Sequence, residues 1–205
     1  MKPLTTTVIC LTLALWPLSL FLTNSYKDIG NDLSNYFHFS ILAPDDQAPL
    51  VINAKRSIYE SDLLGRLFNN KLTFIWSRYK ANFFALVDPN NYFFGFHPRE
   101  IVRQNLNLEK FPFIAIVFLG YSFYRFKTLK RARLLLAIFF LLVAFLSLAN
   151  FDKVDLILYP ILSIFMIHGI RAMNLERPKL FIVTALLLII FSVPLYLRTL
   201  VNLHP

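Results

Sequence analysis

A chain of 205 residues that is 57% hydrophobic and only 16% charged lies well below the charged content of roughly one quarter found in soluble domains. Its formal charge of +9 is dispersed over several polar connections and interleaved with acids, which argues against a nucleic-acid footprint. Five glycines disfavour a Gly-rich phosphate cradle, and a lone Cys10 excludes both an intrachain disulfide and a thiolate metal cluster, so no cofactor or metal is expected.

Taken in order, residues 3–23 carry no charge after Lys2 and are long enough to cross a bilayer core, which takes roughly twenty apolar residues in a helix. The stretch is long for a signal-peptide core and has no small-x-small pair at its end, so residues 1–23 are expected to form an uncleaved anchor. Residues 24–110 then hold ten Lys and Arg against nine Asp and Glu and form the one long segment too polar for lipid. Within it residues 31–53 are weakly periodic, and Ala43-Pro44-Asp45-Asp46 has turn chemistry.

Ser57 followed by Glu60 fits a capping box, which predicts an amphipathic helix over 57–68 with Tyr59, Leu63, Leu64, Leu67 and Phe68 on one face. Asn69-Asn70 ends it and can cap a second helix over 71–87. The second helix gathers Leu72, Ile75, Trp76, Tyr79, Phe83 and Leu86 on its apolar face. Lys71, Arg78 and Asn82 stand opposite, the layout of a helix lying along a membrane surface. Asp88-Pro89-Asn90 stops it, and an aromatic run, residues 91–98, follows.

Four further apolar runs, 111–124, 132–148, 156–170 and 180–197, predict a four-helix membrane domain over 111–197 with a tail at 198–205. Pro160 lies near the start of the third of these, where a missing backbone donor matters least. The connection 125–133 carries net +5, that at 171–179 net +2, and that at 152–155 net −1. The positive-inside rule then places the N-terminus and the two basic connections in the cytoplasm and the long 24–110 segment outside. The fold expected is an all-α, multi-pass cell-membrane protein with five transmembrane helices and one long extracytoplasmic loop containing interfacial helices.

Chemistry-bearing residues are sparse. His168 falls within one turn of a basic connection and has no carboxylate partner in a neighbouring run, which reads as an interfacial, hydrogen-bonded histidine. Asp45-Asp46 suits cation ligation or base chemistry but equally a solvated turn. His97 beside Pro98, Arg99 and Glu100 suits either an anionic phosphate or a headgroup anchor. No HExxH, CxxC or nucleophile-elbow pattern occurs.

Three segments carry a family likeness: Leu63-Leu64-Gly65-Arg66-Leu67-Phe68-Asn69-Asn70-Lys71, then Tyr79-Lys80-Ala81-Asn82-Phe83-Phe84, then Asp88-Pro89-Asn90-Asn91-Tyr92-Phe93-Phe94-Gly95. With the Pro-containing apolar run after them, they resemble a late extracytoplasmic loop of bacterial glycosyltransferase C superfamily proteins, the protein-mannosyltransferase-like enzymes that use polyprenyl-phosphate sugars. The resemblance covers residues 63–95, with general support from the helices that follow. It implies the C-terminal portion of such an enzyme without its catalytic N-terminal half, since the superfamily's acid lies many helices upstream and one apolar run precedes the loop here. The function expected is that of a non-catalytic cell-envelope or accessory subunit whose partners are the bilayer and either a polyprenyl-phosphate lipid or a larger membrane complex. Arg66, Lys71, Arg78, His97 and Arg99 are the candidate lipid-phosphate contacts. The alternative is an active polyprenyl-phosphate-sugar transferase with Asp28 or Asp32 as base.

Overall fold

The computed structural model describes residues 3–20, 40–58, 62–94, 110–149 and 154–202, together with positions 30, 34 and 35. Among them the regular structure is helical: α1 (Pro3–Leu20), α2 (Ala48–Arg56), α3 (Asp62–Phe68), α4 (Lys71–Val87), α5 (Asn90–Phe93), α6 (Ala115–Tyr124), α7 (Ala132–Leu146), α8 (Tyr159–Glu176) and α9 (Pro178–Asn202). An isolated bridge between Ser40 and Ala149 is the one extended pairing among the described residues.

The chain is built around α8, on which α1, α6 and α9 all pack. Its start is favoured by Pro160 in the first turn, as the sequence predicts. It buries Ile161, Leu162, Phe165, Met166, Ile170 and Met173. At Gly169 the backbones of α6 and α8 come so close that a Cβ would sit 1.8 Å from the Phe118 carbonyl oxygen. Only glycine allows that approach.

Polar contacts separate two ends of this bundle. At one end the cap formed by α2 to α5 is tied down. The Asn82 amide donates to the Ser147 (3.1 Å) and Ala149 (3.4 Å) carbonyls past the end of α7, and the Ile41 N–H donates to Leu148 O at 2.8 Å. At the same end the Tyr159 ring packs edge-on against Tyr92 (centroids 6.0 Å apart) and at a tilt against Phe111 (4.6 Å). At the other end Arg125 donates to the Glu176 carboxylate, which also accepts from Tyr121 Oη at 2.9 Å, and Thr128 Oγ1 bonds His168 Nε2 at 3.2 Å. Asn174 meets Thr7 at 3.2 Å, so the start of α1 lies near this second end. The chain thus runs from cap to far end in α6, back in α7, out again in α8 and back in α9.

Outward faces are as apolar as inward ones. On α7, Leu134, Ile138, Leu141 and Phe145 are exposed, while Phe139, Val143 and Leu146 are buried; α9 exposes Val183, Leu186, Ile190 and Val193 opposite Phe181, Ala185 and Leu188. One helical segment, Leu156–Glu176, is long and apolar enough by length and composition to cross a membrane, and the molecule itself buries 67% of its most apolar window. Among the described residues the other apolar helical stretches that stand out are shorter, Thr6–Trp16, Ala115–Tyr124, Ala132–Leu146 and Pro178–Val193, the first and last being parts of α1 and α9.

Several local expectations change. Ser57 does not open a helix. It closes α2, with its N–H on Asn53 O (3.0 Å) and its hydroxyl on Ala54 O (2.8 Å), and the next helix starts at Asp62. The weakly periodic stretch before it yields α2, entered through the Asp45 turn and Pro49 in the first helical turn. Asn82 is buried rather than solvent-facing. The basic residues from Arg171 onward do not end α8, which continues to Glu176, and α9 begins after the single residue Arg177 and continues to Asn202, into the stretch expected as a tail. The helix over 71–87, its capping by Asn70 and its stop at Asp88 stand as predicted.

Candidate functional site

The cap contains a cleft of about 290 Å³ between α2 and α4. Its position follows from two local signals. Asp45 Oδ1 accepts from the Gln47 N–H at 2.9 Å and turns the chain into α2. Asn70 and Thr73 exchange side-chain and backbone bonds, each 2.9 Å, in a reciprocal box that starts α4. Arg56 at the end of α2 reaches across with Nε to Asn69 O (2.7 Å), fixing the two helix ends together.

Ile41, Ile52, Phe74 and Ile75 give the cleft an apolar lining, and Arg56, Lys71, Arg78 and Asp45 give it charge. Arg78 pairs with Asp45 at 2.6 Å, and its guanidinium lies 4.6 Å from the centre of the Phe74 ring. The Gln47 backbone N–H first, and the Arg78 side chain in addition, hold the Asp45 carboxyl below the usual carboxylate range. Three cations against one acid leave a net positive cleft. Lys71 has no ion pair among the described residues, and Arg56 is engaged only through Nε on the Asn69 carbonyl, so both keep positive charge for a ligand.

A second, smaller cavity of about 170 Å³ shares the Ile52 and Phe74 walls and is lined by Lys55, Asn69, Asn70, Thr73 and Ser77. The Asn69 side-chain amide nitrogen is buried there without a hydrogen-bond partner among the described residues. Apolar walls, cationic side chains and a spare amide donor suit a ligand with an alkyl part and an anionic oxygen group. Among the described residues no three His, Cys, Asp or Glu side chains converge on a point.

Of the sequence-predicted contacts, the structure brings Lys71 and Arg78 into the cleft and leaves Arg66 exposed on α3, outside its lining. Asp28, Asp32, His97 and Arg99 lie outside the described residues. Arg56 and Asn69 were not anticipated. Arg56 sits at the end of a stretch with weak periodicity, and Asn69 reads in sequence only as a helix breaker. Comparison with protein-family models, curated proteins and solved structures finds no match to this chain.

Proposed function

We propose that the chain is a multi-pass membrane protein whose outer helical cap binds the phosphate-bearing end of a lipid, acting as a non-catalytic, cell-envelope relative of the polyprenyl-phosphate-sugar transferases. In this reading the five apolar helices α1, α6, α7, α8 and α9 sit in lipid. Their outward faces, apolar apart from charges near the helix ends, support that placement, because a helix that is hydrophobic all round is either fully buried or solvated by hydrocarbon. The spacing of the two polar ends supports it as well. The 18 residues of α8 separate them by about 27 Å at 1.5 Å per residue, close to the ~30 Å bilayer core.

The basic connections and the start of α1 share one end, which the positive-inside rule assigns to the cytoplasm, and the cap then faces outward. Leu72, 75% exposed, and Trp76, 55% exposed, project from α4 beside Lys80, whose ammonium stands 6.0 Å from the Trp76 ring centre. Aromatic and aliphatic side chains with flanking lysines suit a cap resting on the headgroup layer.

The observation that carries the lipid-phosphate reading is the α2–α4 cleft, apolar in its walls and net positive in its side chains. The test is native mass spectrometry of the detergent-solubilised protein with a polyprenyl phosphate and, separately, the uncharged polyprenol. Retention of the phosphate alone, weakened about tenfold in Lys71→Gln by loss of one charge-assisted bond, is expected. Equal retention of the two lipids, or phosphate retention untouched in Lys71→Gln, overturns it.

A further inference from the structure

The end of the bundle opposite the cap carries a second cationic surface. The α6–α7 connection supplies Lys127, Lys130, Arg131 and Arg133, and the α8–α9 junction supplies Arg171, Arg177 and Lys179; all seven are exposed and none makes an ion pair among the described residues. Glu176 is the one acid of these two segments, and Arg125 and Tyr121 already occupy its carboxylate. That clamp, with Thr128 on His168, also holds the two basic segments side by side. The backbone of Arg131 adopts the left-handed conformation (φ 60°) at the head of α7.

Large apolar side chains stand among the cations at this end: Tyr124 is 73% exposed and Leu175 82% exposed, with Phe123 and Leu180 also at the surface. A soluble polyanion would satisfy the charges and leave these side chains in water. A ligand that meets both must bear an anionic head on acyl chains. We infer that this collar is a binding site for anionic phospholipid headgroups, distinct from the cap cleft and on the other side of the bilayer; the inference rests on the membrane reading above. Clusters of Lys and Arg at the cytoplasmic border of apolar helices draw anionic lipid, at about fivefold in affinity per charge at low salt.

The test uses the full chain in non-ionic detergent, incubated with phosphatidylglycerol or phosphatidylcholine and read by native mass spectrometry. Phosphatidylglycerol should be retained at least about tenfold better, and K127Q/K130Q/R171Q/K179Q should bring the two lipids close to parity with helical circular dichroism unchanged. Should the quadruple variant fail to fold, the wild-type preference must still collapse as salt rises from low to about 0.5 M. Equal retention by a detergent-dependent wild type, or a preference that survives the quadruple variant, overturns the collar site. A chain that stays dispersed in buffer without detergent overturns the membrane reading instead.

Discussion

Gly169→Ala isolates the contact on which the bundle's packing turns. The added Cβ would meet the Phe118 carbonyl oxygen at 1.8 Å and its carbon at 2.7 Å, while ordinary contacts begin at 3.4 Å, so α6 and α8 must part by about 1.6 Å, the difference between 3.4 and 1.8 Å. Backbone has no rotamer into which to retreat, and the separation would open the packing of Phe118, Ser122, Met166 and Met173, all fully buried. Overpacking of this kind costs up to about 3 kcal/mol, and the better helix propensity of alanine offsets about 1 kcal/mol, leaving roughly 2 kcal/mol. At about 2–4 °C per kcal/mol, the midpoint of thermal unfolding should fall by about 4–8 °C. Gly120 on the same α6 is the matched control, because a Cβ there meets nothing within 4 Å, and Gly120→Ala should be neutral or stabilising by up to about 1 kcal/mol. Thermal scans of detergent-solubilised protein by circular dichroism read both. A Gly169→Ala variant as stable as Gly120→Ala would refute the close approach of α6 and α8.

Further outcomes follow from the cap. Asn82→Ala leaves the Ser147 and Ala149 carbonyls without their donor and should cost about 1–3 kcal/mol, seen as faster limited proteolysis between residues 40 and 94 while α7 to α9 stay protected. The Asp45 carboxyl is held below its ordinary value in the folded chain, so the stability it contributes is present above about pH 4 and is lost as pH falls through the lowered value. The difference in unfolding midpoint between wild type and Asp45→Asn should therefore be constant near neutrality and shrink towards zero below pH 4; a difference that grows on acidification contradicts the assignment. Lys71→Gln should lower retention of polyprenyl phosphate about tenfold with no change in unfolding midpoint, since Lys71 holds no ion pair among the described residues.

What sequence made legible was decided by how local each signal is. Apolar runs marked where the bundle helices lie, because composition alone separates them from the polar connections. Asn70 and Asp88 announced both ends of α4 through side-chain chemistry within a few residues. The Ser57–Glu60 pattern misled because a serine that can start a helix can equally close one, and here its hydroxyl turns back to Ala54 O. Asn82 looked like a solvent-facing residue because its partners, the carbonyls past α7, lie 65 and 67 residues away. Gly169 was silent for the same reason, since nothing in an apolar run reveals which backbone it must admit. Lys71 and Arg78 were legible as the basic flank of an amphipathic helix, while Arg56 reached the cleft only through the folding of α2 against α4.

In the proposed topology the cap and the basic collar lie on opposite sides of a bilayer. In cells carrying a Cys10→Ala background, single cysteines at Ser57 and Lys130, both exposed, would be challenged with a membrane-impermeant maleimide before and after permeabilisation. Ser57→Cys should label in intact cells and Lys130→Cys only after permeabilisation. Equal labelling of the two positions in intact cells would contradict that topology.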